Sequence, residues 1–86
     1  MATVYEVVRS AQNAKDAKNG IDMLLSLDGL IAGPAKAWIT YARDNYRKNK
    51  PADRAHKILR TACARFLETA TSYELGMDAG SVKAKK

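Results

Sequence analysis

The chain has 86 residues, of which 47% are hydrophobic and 28% charged, with 15 Lys and Arg against 9 Asp and Glu. This composition is typical of a globular domain and is too apolar for a disordered chain. The single cysteine excludes an internal disulfide, and no apolar run approaches the ~18 residues of a membrane span. The first residues lack the basic and apolar regions of a signal peptide, so we expect a cytoplasmic protein with no membrane partner.

The positive charge is concentrated in one central segment. Between Lys36 and Arg65 there are nine basic and two acidic residues, a net charge of +7, whereas the rest of the chain sums to −1. A dense patch of one sign repels itself and attracts anions, so this segment indicates an anionic partner.

Apolar residues at steps of three and four predict a first helix over residues 3–18. Thr3 and Glu6 have the spacing of a capping box, in which each side chain binds the backbone N–H of the other. Asn19 and Gly20 are typical of a helix end, because both tolerate the left-handed conformation that terminates helices.

The second predicted helix covers residues 21–32 and is nearly apolar all round. A buried strand is the competing interpretation, but the abundance of Met and Leu favours a helix. Gly29 weakens this helix by about 1 kcal/mol relative to alanine. Pro34 suits a helix start, and a third helix is predicted from there to residue 48.

The fourth predicted helix, over residues 51–75, is the longest, and Gly76 ends it. Short connections favour antiparallel neighbours. We therefore expect an all-α, compact four-helix domain over residues 1–76, with a long C-terminal helix. Residues 77–86 offer little to bury and are predicted to form a flexible basic tail.

A helix-turn-helix motif is an alternative for the middle of the chain. Gly33 would be the turn glycine, and the following helix would present four side chains to a groove: Lys36, Thr40, Arg43 and Arg47. Against this motif, Pro34 follows the glycine directly, and Asp28 occupies a position where an apolar residue is expected.

The basic residues cluster around the tip of the predicted hairpin of the third and fourth helices. Cations release counterions from phosphates, and an interleaved aromatic ring can stack on a base. We therefore expect a non-enzymatic protein that binds DNA or RNA backbone, alone or as a subunit of a larger assembly. A solvated face and a core tyrosine form the competing interpretation. The candidate binding residues are Lys36, Arg43, Tyr46, Arg47, Lys48, Lys50, Arg54 and Lys57.

The charges of the predicted fourth helix oppose its dipole. Cations lie near its N-terminus, and Glu68 and Glu74 lie near its C-terminus, whereas the dipole favours the reverse by ~0.3–1 kcal/mol per charge. This misfit suggests that the cations serve a partner. The same polarity would also permit head-to-tail association into a homo-oligomer.

No pattern in the chain indicates catalysis, a metal or a cofactor. His56 and Cys63 would lie about 10 Å apart along one helix, too far for a nucleophile pair, and one His with one Cys cannot fill a zinc site. The carboxylates are dispersed. The alternative function is a protein–protein interaction module, such as an adaptor, a mobile-element inhibitor or a self-assembling subunit, using the same basic patch on an acidic protein.

Overall fold

The structure is a computed structural model that describes residues 2–48 and 52–79, without the side chains of residues 47, 48, 52 and 53. This part of the chain contains helices and no strand, which confirms the all-α class. The helices are α1 (Val4–Gln12), α2 (Ala17–Leu25), α3 (Lys36–Lys48), α4 (Ala52–Thr69) and α5 (Ser72–Leu75).

Helix α1 begins where the sequence predicts and ends earlier. Thr3 and Glu6 form the capping box: the Glu6 N–H donates to Thr3 Oγ1 at 3.2 Å, and the Thr3 N–H donates to Glu6 Oε1 at 2.8 Å. The helix ends at Gln12, so the predicted extension to residue 18 is wrong.

Helix α2 explains why the first helix stops. Asp16 caps it by accepting a hydrogen bond from the Lys18 N–H at 3.1 Å, and a capping carboxylate stabilises a new helix start. Asn19 and Gly20 therefore lie inside α2, and the helix end predicted at these two residues is wrong.

Turns and irregular chain over residues 26–35 connect α2 to α3. The second helix therefore ends before Gly29, short of its predicted end at residue 32. A helix-turn-helix needs a turn of about 3–4 residues, so this longer connection excludes that motif. Helix α3 begins at Lys36, after a turn in which the Lys36 N–H donates to the Gly33 carbonyl at 2.9 Å.

The long fourth helix of the prediction is two helices. Helix α4 ends at Thr69, and Thr71 starts α5 through a second capping box with Glu74. The Glu74 N–H donates to Thr71 Oγ1 at 3.1 Å, and the Thr71 N–H donates to Glu74 Oε1 at 3.0 Å. The capping box satisfies the N–H groups of Thr71 and Glu74, and the new helix start that it stabilises competes with continuation of α4.

The two ends of the described chain meet. The Val4 N–H donates to the Met77 carbonyl at 2.8 Å, and the Ala79 N–H donates to the Ala2 carbonyl at 3.0 Å. Ala79 is buried, so the packed chain extends beyond the predicted domain end at residue 76. The rest of the predicted tail, residues 80–86, lies outside the described residues.

The core lies between α1, α2, α3 and α4. Its largest fully buried side chains are Phe66, Ile21, Leu24, Leu27, Ile31, Ile39 and Leu59. Among the described residues, no helix combines the length and apolar composition that crossing a membrane requires.

Gly20 and Gly29 provide a matched test of this packing. A Cβ at Gly20 would overlap the Leu59 side chain and lie 2.7 Å from the Ala11 carbonyl oxygen, whereas a Cβ at Gly29 meets nothing within 4 Å. We expect Gly20→Ala to destabilise the fold by about 1–3 kcal/mol through overpacking. Gly29→Ala should be neutral or stabilise by about 0.4–1 kcal/mol. Urea unfolding followed by circular dichroism measures both, and equal stability of the two variants would contradict this packing.

Phe66 and Tyr73 provide a second comparison. Phe66 is fully buried, and Tyr73 is 80% exposed on α5. We expect Phe66→Ala to lower the free energy of unfolding by about 3–5 kcal/mol, because it removes a buried ring and leaves a cavity. Tyr73→Ala should change it by less than about 0.5 kcal/mol. Thermal melts of the two variants test the difference.

Candidate nucleic-acid interface

Two of the eight candidate residues share one carboxylate. Lys36 Nζ lies 3.6 Å from Asp28 Oδ1, and Arg43 Nη1 lies 3.4 Å from Asp28 Oδ2. Asp28 is half-buried in the α2–α3 connection, and its Oδ1 accepts no hydrogen bond from the described residues. Arg43 Nε also lies 3.8 Å from Asp44 Oδ1. Asp28 and Asp44 together therefore offset the charges of these two cations.

Tyr46 lies against the hydrophobic core. It is half-buried, as is Tyr41 one turn earlier, whose ring meets Trp38 edge to face with centroids 5.5 Å apart. These contacts favour the core interpretation of Tyr46 over a role in stacking on bases.

The tip of the α3–α4 hairpin is described in part. The backbone of Arg47 and Lys48 belongs to α3, but their side chains and the whole of Lys50 lie outside the described residues. Arg54 and Lys57, on α4, are exposed. No salt bridge within the described part of the chain includes either of them. They are the candidate cations whose described surroundings contain no counter-charge.

A groove between α1 and α4 carries further cations. Its volume is about 860 Å³, and basic or polar side chains form most of its lining. The sequence interpretation missed it, because two of its basic residues lie outside the +7 segment and one was assigned to an overlong first helix. The lining residues are Arg9, Gln12, Asn13, Ala14, Lys15, His56, Leu59, Arg60 and Ala64.

His56 fastens the α1–α2 connection to α4. Its Nε2–H donates to the Lys15 carbonyl oxygen at 3.1 Å. The side chain of Asp53, three residues earlier, lies outside the described residues. The contact joins two walls of the groove, so His56 has a positioning role that its lone occurrence in the sequence does not reveal.

The break between α4 and α5 changes the dipole argument. Glu74 lies in the first turn of α5, where the helix dipole favours a carboxylate. Glu68 pairs with Arg65, with Oε1 and Nη1 3.1 Å apart. Because dipole effects fall off within one turn, the misfit that remains on α4 rests on Arg54 in its first turn and on Glu68 in its last turn.

Burial raises the pKa of the Cys63 thiol to about 12, so the thiolate that acts as nucleophile or metal ligand is disfavoured. Within residues 2–48 and 52–79, no three His, Cys, Asp or Glu side chains gather as metal ligands would. The arrangement of the site suits binding of anions through exposed cations.

No protein-family model, curated protein or solved structure matches this chain.

The burial of Cys63 leads to a test of its reactivity. The folded protein at pH 8 should react with a disulfide reagent such as DTNB only as fast as it unfolds, because the thiol is neutral and covered. Urea should expose it and give one equivalent of rapid reaction. Gly29→Ala, predicted to keep full stability, should react as slowly as the original protein. Fast labelling of folded protein would contradict the assigned burial of α4.

Proposed function

We propose that this protein is a non-enzymatic binder of nucleic-acid backbone and that it binds through the cations near the tip of the α3–α4 hairpin, mainly on the α4 side. The observation that carries the proposal is a difference between the two helices. Arg54 and Lys57 on α4 are exposed without a described counter-charge, whereas Lys36 and Arg43 on α3 share Asp28. The proposed site also includes Arg47, Lys48 and Lys50, which are adjacent in sequence.

Uncompensated cations suit a phosphate backbone. Each cation that neutralises a phosphate releases counterions, and this gain does not depend on base sequence. Since Tyr46 packs against the core, the described part of the site contains no ring that would read or stack on bases. We therefore propose contacts to backbone charge with little sequence preference, in the cytoplasm, where nucleic acid is accessible.

The surface of α4 favours nucleic acid over an acidic protein. Protein interfaces have an apolar core with aromatic anchors inside a polar rim. The large hydrophobic side chains exposed in the described chain are Tyr5 and Tyr73, and neither lies on α4. A ligand whose contacts are charges alone suits the α4 surface better.

Fluorescence anisotropy with labelled single-stranded and duplex oligonucleotides tests the proposal. Affinity should fall steeply as salt rises from ~50 to ~200 mM. Replacing Arg54 and Lys57 together by Gln should weaken binding to every sequence and lower the slope of log affinity against log salt by about 2, or about 1 per lost phosphate contact. The fold should be retained, because exposed charges contribute little to stability.

The matched control replaces Lys18 and Arg65 by Gln. Both are exposed cations paired on their own helices, with Asp22 at 3.3 Å and Glu68 at 3.1 Å, and the net charge falls by the same two units. This variant should keep the original salt slope. Equal losses in the two variants would show a response to overall charge alone. Absence of oligonucleotide binding at ~50 mM salt would overturn the proposal and leave an acidic protein as the partner to test.

A further inference from the structure

We infer that the α1–α4 groove holds a phosphate of the bound nucleic-acid strand, so that the binding surface continues from the hairpin tip over α4 to α1. This inference rests on the proposed function and extends it to residues outside the hairpin. Its basis is the convergence of three cations from three parts of the chain: Arg9 from α1, Lys15 from the α1–α2 connection and Arg60 from α4.

The described lining of the groove is positively charged. Arg9, Lys15 and Arg60 are exposed, and no described salt bridge includes them. The described residues that line the groove include no acidic one, and Asp16, the neighbour of Lys15, accepts from the Lys18 N–H as the cap of α2. At about 860 Å³ the groove is within the size range of ligand sites.

The groove also supplies neutral hydrogen-bond donors and a fixed wall. Gln12 and Asn13 line it with side-chain amides, which can donate to phosphate oxygens. Ala14, Leu59 and Ala64 form its apolar part. The bond from His56 to the Lys15 carbonyl holds the connection against α4, which reduces the ordering that binding would require.

Helix stability does not explain these cations as a group. Arg9 lies in the last turn of α1, where the dipole favours it. Lys15 directly precedes the N-terminus of α2, where the dipole disfavours a cation. Arg60 lies in the middle of α4, beyond the reach of either helix end. Two of the three cations therefore lack a structural reason for their sign.

The helix geometry connects the groove to the hairpin tip. Arg54, Lys57 and Arg60 follow at steps of three, and each step advances about 4.5 Å along the axis and turns about 60° around the surface. The three cations therefore follow a path around α4, from the side that exposes Arg54 to the side on which Arg60 lines the groove. Residues three apart on a helix face are neighbours, about 5–6 Å apart at Cβ, and a nucleic-acid strand carries a negative charge at every nucleotide, so one strand that follows this path can contact successive cations.

The test combines affinity measurements with NMR on the full chain. Replacing Arg9 and Arg60 together by Gln should lower the salt slope of oligonucleotide binding by about 2, whereas the Lys18 and Arg65 control should not change it. Lys15→Gln alone should lower it by about 1. All of these positions are exposed, and proton–nitrogen spectra report that each variant is folded. In those spectra an oligonucleotide should shift the backbone amides of Asn13, Lys15, His56 and Arg60.

A second arm of the experiment uses inorganic tripolyphosphate, which separates a nucleic-acid strand from free phosphate. Shifts at the groove with both ligands, and a reduced slope in the Arg9 and Arg60 variant, support the inference. Oligonucleotide binding that leaves the groove amides and the slope unchanged overturns it while the proposed function stands. If tripolyphosphate alone shifts the groove and no oligonucleotide binds, both the proposed function and the nucleic-acid assignment of the groove fail.

Discussion

The packing of α1, α2 and α4 against one another depends on Gly20, a residue with no side chain. At Gly20, α2 approaches Leu59 of α4 and the Ala11 carbonyl of α1 so closely that a Cβ has no room. Leu59 extends from this contact to the lining of the α1–α4 groove. Because protein interiors are close-packed, a larger residue at position 20 would have to separate these helices or shift Leu59. The position of a surface groove is thus fixed by a contact in the core.

A second constraint is electrostatic. Ion pairing divides the described cations of the central segment into those that lie close to an acidic side chain and those that do not. Asp28 contributes at most about 1 kcal/mol per partly exposed ion pair to stability, so its main effect is on the surface field. Asp28 and Asp44 together offset the charges of Lys36 and Arg43, whereas Arg54 and Lys57 on α4 have no described counter-charge. A count of charges along the sequence treats all these cations as equivalent, but the fold does not.

Capping boxes in the sequence indicate helix starts correctly, whereas the helix end predicted at Asn19 and Gly20 is wrong. Thr3 and Glu6 predicted the start of α1, and the same spacing of Thr71 and Glu74 could have predicted the start of α5. The helix class followed from apolar periodicity. The sequence could not predict contacts between residues that are far apart in the chain. Examples are the ion pair of Asp28 with Arg43 and the hydrogen bond of His56 to the Lys15 carbonyl. The sequence could therefore suggest the cations of the hairpin, which are close together along the chain, but not the groove, whose lining comes from α1, the α1–α2 connection and α4.

The spacing of the cations on α4 gives the physical reason to expect a ligand. Like charges at neighbouring positions on a helix face cost about 0.2–0.5 kcal/mol per pair. Arg54, Lys57 and Arg60 form two such pairs, and none has a described acid to offset it. Later on the same helix, Arg65 and Glu68 form the opposite-charge pair that stability favours. Among the described side chains, the first half of α4 contains no such opposite-charge pair, and an external anion that contacts its cations in turn would reverse that cost.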